Sequence, residues 1–387
     1  MRLKRTIAIA MVLLASVACF PDTPAQPGPT TTTPPPTTVV VPSTTVAPTT
    51  VAPTTTVPST GKFSIVGNKI LDPSGKTFIP MGANVAARVG RFEKGYVFNV
   101  NGTATDHVQD VKNWGWNIVR TNNICVPPAD PGLAATQAGI SALIDEYTAQ
   151  KVVVMVDCHD VTGQNPTTSS PGVTAAIAMQ DYLANKYKDN TYVWFNVLNE
   201  PQNDSNVANW LSVQKLVLSR LRAIAPDNIY VADLPRYGQA IETVLDGTAT
   251  ALGVGQKNVL YSWHAYGAVG DYGNNDYANE AISRPRHKAA LDAIKAGDDA
   301  VVIGEFGDPL TLNEGTAGQP IWNRIGANAV MDYAPADGVG LMWWHATGDS
   351  GVFITYSLTA DRSAPWNSAL TGTELSAAGR KFWTITH

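Results

Sequence analysis

Charge is scarce in this chain. Asp, Glu, Lys and Arg make up 15% of its 387 residues, against 44% hydrophobic residues. That balance excludes disorder for the chain as a whole and supports a substantial core. The net charge is −5, and no basic block stands out in the body of the chain, which argues against a nucleic-acid partner. The histidines show no zinc-site spacing, so no metal is called for on that ground. No Gly-x-Ser-x-Gly elbow marks an esterase. Met81-Gly82-Ala83-Asn84 is not the glycine-rich phosphate loop of a dinucleotide-binding sheet. The apolar run Ile7 to Val17 is shorter than the about 20 residues that span a bilayer.

That short run has a different meaning. Arg2, Lys4 and Arg5 precede it and Ser16-Val17-Ala18 supplies small residues at its end, so residues 1–18 read as a secretory signal. Cys19 directly after Ala18 resembles a lipoprotein acceptor. Simple secretion and lipid anchoring at the outer face of a bacterial membrane both stay open, and membrane contact is expected only through a lipid on Cys19. Residues 19–60 are almost wholly Pro, Thr, Val, Ala and Ser. Such a stretch cannot offset its ordering entropy by burial and is expected to be a disordered linker. Extended at about 3.1 Å per residue, it reaches on the order of 120 Å. It reads as a stalk, with an inert tail as the alternative, and no further folded module is expected upstream.

From Gly61 to His387 strand-like and helix-like stretches alternate. Phe63 to Leu71 and Lys76 to Ile79 read as an opening hairpin around the turn Asp72 to Gly75. Eight core strands are expected near 79–85, 117–121, 152–157, 192–198, 229–233, 259–264, 300–304 and 339–344. Between them lie amphipathic stretches, clearest over 204–224. Eight such units predict an α/β fold, a (β/α)₈ TIM barrel with an N-terminal hairpin and one catalytic domain over 61–387. An open doubly wound sheet is the alternative.

Polar residues gather where those strands end. Arg120 follows the second strand, Asp157 and His159 end the third, Asn199 and Glu200 the fourth. His264 and Tyr266 end the sixth, Glu305 the seventh, and Trp343 and Trp344 the eighth. Two carboxyl groups at the mouths of parallel strands suit glycoside hydrolysis, where one protonates the leaving oxygen and the other attacks the anomeric carbon. Ten tryptophans and thirteen tyrosines are core material first, with some left to stack on sugar rings.

The order Arg, His, Asn-Glu, His-x-Tyr, Glu, Trp resembles glycoside hydrolase family 5. The resemblance implies Glu200 as general acid/base, Glu305 as nucleophile and Asn199 on the sugar 2-hydroxyl. It implies Tyr266 beside the nucleophile, Arg120 steadying Glu305, His159 and His264 lining the site, and a tryptophan floor. Neighbours on a strand face opposite ways, so one of Trp343 and Trp344 faces the sugar, and Trp344 is the choice. No metal or organic cofactor is implied. The expected partner is a β-linked polysaccharide or oligosaccharide, and the expected state a monomer. Asn199-Glu200-Pro201 is similar to the cellulase-type members, so an endo-β-1,4-glucanase is expected first. His159 to Gly163 is similar to the His-Asp-x-Thr-Gly segment of bacterial β-mannanases, which usually carry Trp where Pro201 stands, so a mannanase comes second. A transglycosylase and a non-catalytic carbohydrate-binding barrel are the remaining alternatives.

Two features stay open at this level. Cys125 and Cys158 lie near the ends of neighbouring strands, and export permits a disulfide between them. Asp271 to Asp276 offers oxygen ligands, but without EF-hand spacing it reads as a solvated loop beside the cleft.

Overall fold

Runs of Val, Ile, Leu and Met that are buried on both faces belong in parallel strands covered by helices. The computed structural model places eight of them in one closed ring. They are β3 (Met81–Ala86), β4 (Ile118–Asn122), β5 (Val153–Asp157), β6 (Val193–Asn196), β7 (Tyr230–Asp233), β8 (Val259–His264), β9 (Val301–Phe306) and β10 (Gly340–Trp343). Every neighbouring pair is parallel, and β10 closes on β3. The structure describes residues 61–86, 104–125, 133–202, 207–266, 279–307, 320–344, 372 and 375–387. All of these lie in one unit, Thr55–His387. The secretory signal, the Pro/Thr-rich stretch and the Asp271 to Asp276 loop fall outside the described residues.

Two apolar layers follow from the alternation of side chains along each strand. Ile118, Val153, Met155, Trp194, Val231, Leu260, Val302 and Met342 fill the inside of the ring. Their outward-facing neighbours, such as Val119, Val154, Phe195, Tyr261 and Ile303, pack under the helices. The helix α4 (Val207–Ile224) shows the pattern that holds this outer layer. Its buried positions Trp210, Val213, Gln214, Val217, Leu218 and Leu221 recur at helical spacing.

The opening hairpin differs in one respect from the sequence reading. The segment read as one strand folds back on itself, β1 (Ser64–Val66) pairing with β2 (Lys69–Leu71). Gly67 makes this affordable: its φ of +58° puts a glycine at the first position of a two-residue hairpin turn. Asp72 to Gly75 is a second turn, where the Asp72 carboxylate accepts the N–H groups of Ser74 and Lys76 at 2.8 and 3.0 Å. Phe63 from this segment packs edge-on against Phe78, Tyr192 and Trp194 at 4.9, 5.3 and 5.5 Å. It plugs the barrel end where the strands begin and leaves the other end for chemistry.

Cys125 and Cys158 form a disulfide, with Cα atoms 5.4 Å apart and a separation of 33 positions in sequence. It ties the segment after β4 to the segment after β5. Thiol titration of unreduced, denatured protein is expected to find neither cysteine free. Replacing both by alanine should lower stability by about 3–4 kcal/mol in chemical denaturation, in line with loop-closure entropy.

Candidate active site

The inward positions turn polar at the strand ends. Arg120, Asp157, Asn196, Asp233, His264 and Glu305 sit one layer above the apolar filling, and all are buried. For Glu305, alternation alone gives the wrong face. Val302 points inward and Ile303 outward. Strict continuation would turn Glu305 out and Phe306 in. Instead, the register against both β8 and β10 shifts by one residue at this point. This β-bulge resets the phase. Phe306 packs outward on Trp343 and Phe382 at 5.2 and 5.5 Å, and Glu305 faces the barrel axis. Gly304 allows it, because a Cβ there would lie 2.1 Å from Ser262 Oγ and 3.2 Å from His264 Nε2.

Arg120 is the hub of the layer. Its Nε donates to Asn196 Oδ1 at 2.7 Å. Its Nη1 donates to Glu305 Oε1 at 2.6 Å and Asn84 Oδ1 at 3.0 Å, and lies 2.9 Å from Asp157 Oδ2. Its Nη2 donates to Asn199 Oδ1 at 2.6 Å and Asp233 Oδ2 at 3.1 Å. Burial alone would lower its pKa, but Asp157, Asp233 and Glu305 outweigh that and raise it. Asn84, Asn196 and Asp233 were not among the residues singled out from sequence. Their signal was a polar residue at an inward position near the end of an otherwise apolar run.

Around this hub the structure brings together the strand-end residues expected from sequence. One ligand-type atom each of Glu200, His264 and Glu305 lies within 4.8 Å of the others. His264 Nδ1 is 2.8 Å from Glu200 Oε1 and 3.6 Å from Glu305 Oε2. The Tyr266 hydroxyl donates to Glu305 Oε2 at 3.0 Å. Burial pushes the Glu305 carboxyl above its ordinary range; His264 pulls it down, Glu200 adds to the rise, and Arg120 opposes it. Arg120 favours the charged form as expected, but desolvation outweighs the guanidinium. His264 is pushed up to about 10, because Glu305 and Asp233 more than offset the effect of burial.

Glu200 stands on an unusual backbone, with φ at +43°. A non-glycine residue there is strained by roughly 1–3 kcal/mol and is held by its surroundings. Its N–H donates to Asp233 Oδ2 at 3.1 Å, and its carbonyl accepts from Gly163 N–H at 2.9 Å. Asn199, one residue earlier, donates from Nδ2 to Thr162 Oγ1 at 2.8 Å. His159 places Nδ1 2.9 Å from Asp157 Oδ1 and stacks on Trp344 with centroids 5.6 Å apart. Burial disfavours its charged form, but Asp157 prevails and raises its pKa. Trp343 points the other way, stacked on Phe382 at 5.7 Å.

Among the described residues two groups of side chains have metal-ligand types close together. One is Cys125, Cys158 and Asp160, whose thiols are consumed in the disulfide; the other is Glu200, His264 and Glu305.

A closed parallel barrel with a polar, carboxyl-bearing rim at its strand ends is the architecture of the barrel glycosidases. A model of the family "Cellulase (glycosyl hydrolase family 5)" matches residues 71–350, and the chain belongs to that family as a retaining glycoside hydrolase. A mannan endo-1,4-β-mannosidase of Streptomyces lividans is 24% identical over 76% of this chain and 68% of its own length. Endoglucanase A of Butyrivibrio fibrisolvens is 22% identical over 64% of this chain, which spans about half of that protein (52%). The catalytic domain of a mannanase from Streptomyces sp. SirexAA-E has the same fold, with a TM-score of 0.62 at 19% identity, covering 87% of this chain and 96% of that one.

The bulge supplies a test. Gly304→Ala is expected to press on Ser262 and His264, lowering glycan hydrolysis about 100-fold through misplacement of the rim. Thermal unfolding should show a cost of only about 1–3 kcal/mol.

Proposed function

We propose that the protein is a retaining endo-β-1,4-glycanase in which Glu305 is the nucleophile and Glu200 the general acid/base, acting on mannan-type backbones. The observation that carries this reading is the close approach of the two carboxyls, within 4.8 Å through their nearest grouped atoms. Retaining enzymes hold these groups about 5–5.5 Å apart, and inverting ones about 6.5–9.5 Å apart, leaving room for a water.

The two groups are not equivalent. Glu305 receives a donor on each oxygen, Arg120 on Oε1 and the Tyr266 hydroxyl on Oε2. That supports a carboxylate held in place for attack on the anomeric carbon. Glu200 is the more open of the two, its side chain 14% exposed against 4%. That suits a group exchanging protons with the leaving oxygen and with water. In the first step a Glu305 oxygen bonds to the anomeric carbon while the glycosidic oxygen leaves with the Glu200 proton. In the second, water attacks the glycosyl ester, Glu200 takes the water's proton, and Glu305 is released as carboxylate. Arg120 orients Asn199 through Oδ1 and Thr162 takes one Nδ2 hydrogen, leaving the second Nδ2 hydrogen for the sugar 2-hydroxyl. Trp344, backed by His159, floors the cleavage subsite.

The sequence places glucan before mannan, and we reverse that order. Thr162 belongs to the segment similar to bacterial β-mannanases, and it holds the very asparagine assigned to the 2-hydroxyl, the group that is axial in mannose and equatorial in glucose. The Streptomyces lividans mannosidase, matched along three quarters of the chain, supports the same choice. A glucanase remains the second reading, favoured by Pro201 after Glu200 and by the endoglucanase relative. This reading makes the protein an exported monomer without cofactor. Residues 19–60 then serve as its spacer, and Cys19 as its candidate lipid site.

Reducing-sugar release should be compared on galactomannan, glucomannan, barley β-glucan, carboxymethylcellulose and xylan. Galactomannan and glucomannan are expected to be cleaved best, and release from unmixed glucans alone would reverse the order again. Glu200→Ala should cost about 10²–10⁴-fold, and Glu305→Ala at least as much. Proton NMR of the first product should show the β-anomer.

A further inference from the structure

We propose that Asp233 is a positioning residue of this site: it holds His264 as a cation facing Glu200 and pins the left-handed backbone on which Glu200 stands. The inference rests on the roles proposed above for Glu200 and Glu305. Asp233 closes β7 and is fully buried. Its Oδ1 accepts from Asn196 Nδ2 at 2.9 Å. Its Oδ2 accepts the Glu200 N–H and Arg120 Nη2, each at 3.1 Å, and lies 3.3 Å from His264 Nε2.

His264 therefore lies between carboxyl groups at both ends of its ring. Glu200 and Glu305 face Nδ1 from the segment after β6 and from β9, and Asp233 faces Nε2 from β7. Arg120 from β4 stands behind Asp233 and Glu305, Tyr266 touches Glu305, and His159 acts on Glu305 from beyond β5. An ionised carboxylate only accepts, and a neutral imidazole carries a single N–H. Doubly protonated, the ring can face all three. Burial alone would raise the Asp233 carboxyl, but His264 and Arg120 hold it well below the usual range, so it stays charged.

The catalytic cycle gives this arrangement its use. In the first step Glu200 passes from acid to carboxylate 2.8 Å from His264 Nδ1. A cationic donor there stabilises the charge that develops. Glu305 simultaneously loses its charge by forming the ester, so it no longer supports the imidazolium. Asp233 does not take part in bond changes and keeps His264 charged through both steps. With the folded-state value near 10, the stability this proton contributes is complete below the ordinary histidine range and is lost as pH rises through about 10.

The test uses the full-length protein with ¹⁵N-labelled histidine, the His264 signal being assigned by its loss in His264→Gln. At neutral pH both His264 nitrogens are expected to be protonated. In Asp233→Asn the His264 titration should fall by a pH unit or more, toward about 6.5. The alkaline limb of kcat should move down with it, with KM within about twofold, so that the deficit grows from small near pH 5 to about tenfold or more at pH 8. A neutral His264 at pH 7 in the unmodified protein would overturn the proposal, as would an activity loss of the same factor at every pH. If Asp233→Asn does not fold, the spectrum of the unmodified protein decides alone. If Glu200→Ala keeps full activity, the roles assigned to the glutamates fail, and the His264 spectrum still tests the charge lock.

Discussion

A guanidinium shut away from water has to direct its N–H groups at protein acceptors, and Arg120 does so across the barrel. Its partners come from β3, β5, β6 with the residues just after it, β7 and β9. Removing such a charge from water costs several kcal/mol, and ion pairing recovers that only when the geometry is good and the remaining protons are satisfied. The cluster is therefore poor evidence for net stability. What it secures is register: five strand ends are fixed relative to one another because each presents an acceptor to the same flat cation. Glu305, Asn199 and Asp233 inherit their positions from that arrangement.

The cation also decides how the remaining charges are distributed. Arg120 and His264 face four carboxyl groups, Asp157, Asp233, Glu200 and Glu305. In a buried layer so many anions cannot all stay ionised at low cost, and the cost falls on Glu305, whose carboxyl burial raises. Burial and Glu200 raise the Glu305 carboxyl, while His264 and Arg120, which donates to its Oε1, oppose the rise. Water exclusion and charge crowding thus give two identical side chains unequal surroundings, the same logic that separates paired carboxyls in glycosidases.

Much of this was legible in the chain. All eight barrel strands appear within about two residues of their expected places, because runs such as Val152 to Val156 have few other uses in a soluble fold. The strand-end residues were readable because chemistry in a parallel barrel concentrates there. What stayed hidden depends on closure or on phase. Glu305 faces inward through a bulge at Gly304, and periodicity has no mark for an extra residue. Thr162 reaches Asn199 across 37 residues, a contact that exists only once β5 and β6 are neighbours. Asp157 and Asp233 read as ordinary strand terminators because their partner, Arg120, lies 37 and 113 positions away. The turn at Asp72 to Gly75 was legible, with Leu71 bridging Thr77 antiparallel across it, and the additional turn at Gly67-Asn68 was not.

The strain at Glu200 connects these points. A left-handed glutamate ahead of a proline is not a conformation the local sequence prefers. It persists, against the pull of Pro201 toward extended backbone, because Asp233 accepts its N–H and its carbonyl accepts the Gly163 N–H. Asp233 can do this only while Arg120 and Asn196 hold it in turn. The Glu200 side chain is aimed by a backbone distortion, the distortion is held by a carboxylate, and the carboxylate is held by the buried guanidinium. A change anywhere along that line should appear first as a reaimed proton and only later as a lost fold, since the apolar layers beneath it are built from residues that none of these contacts touch.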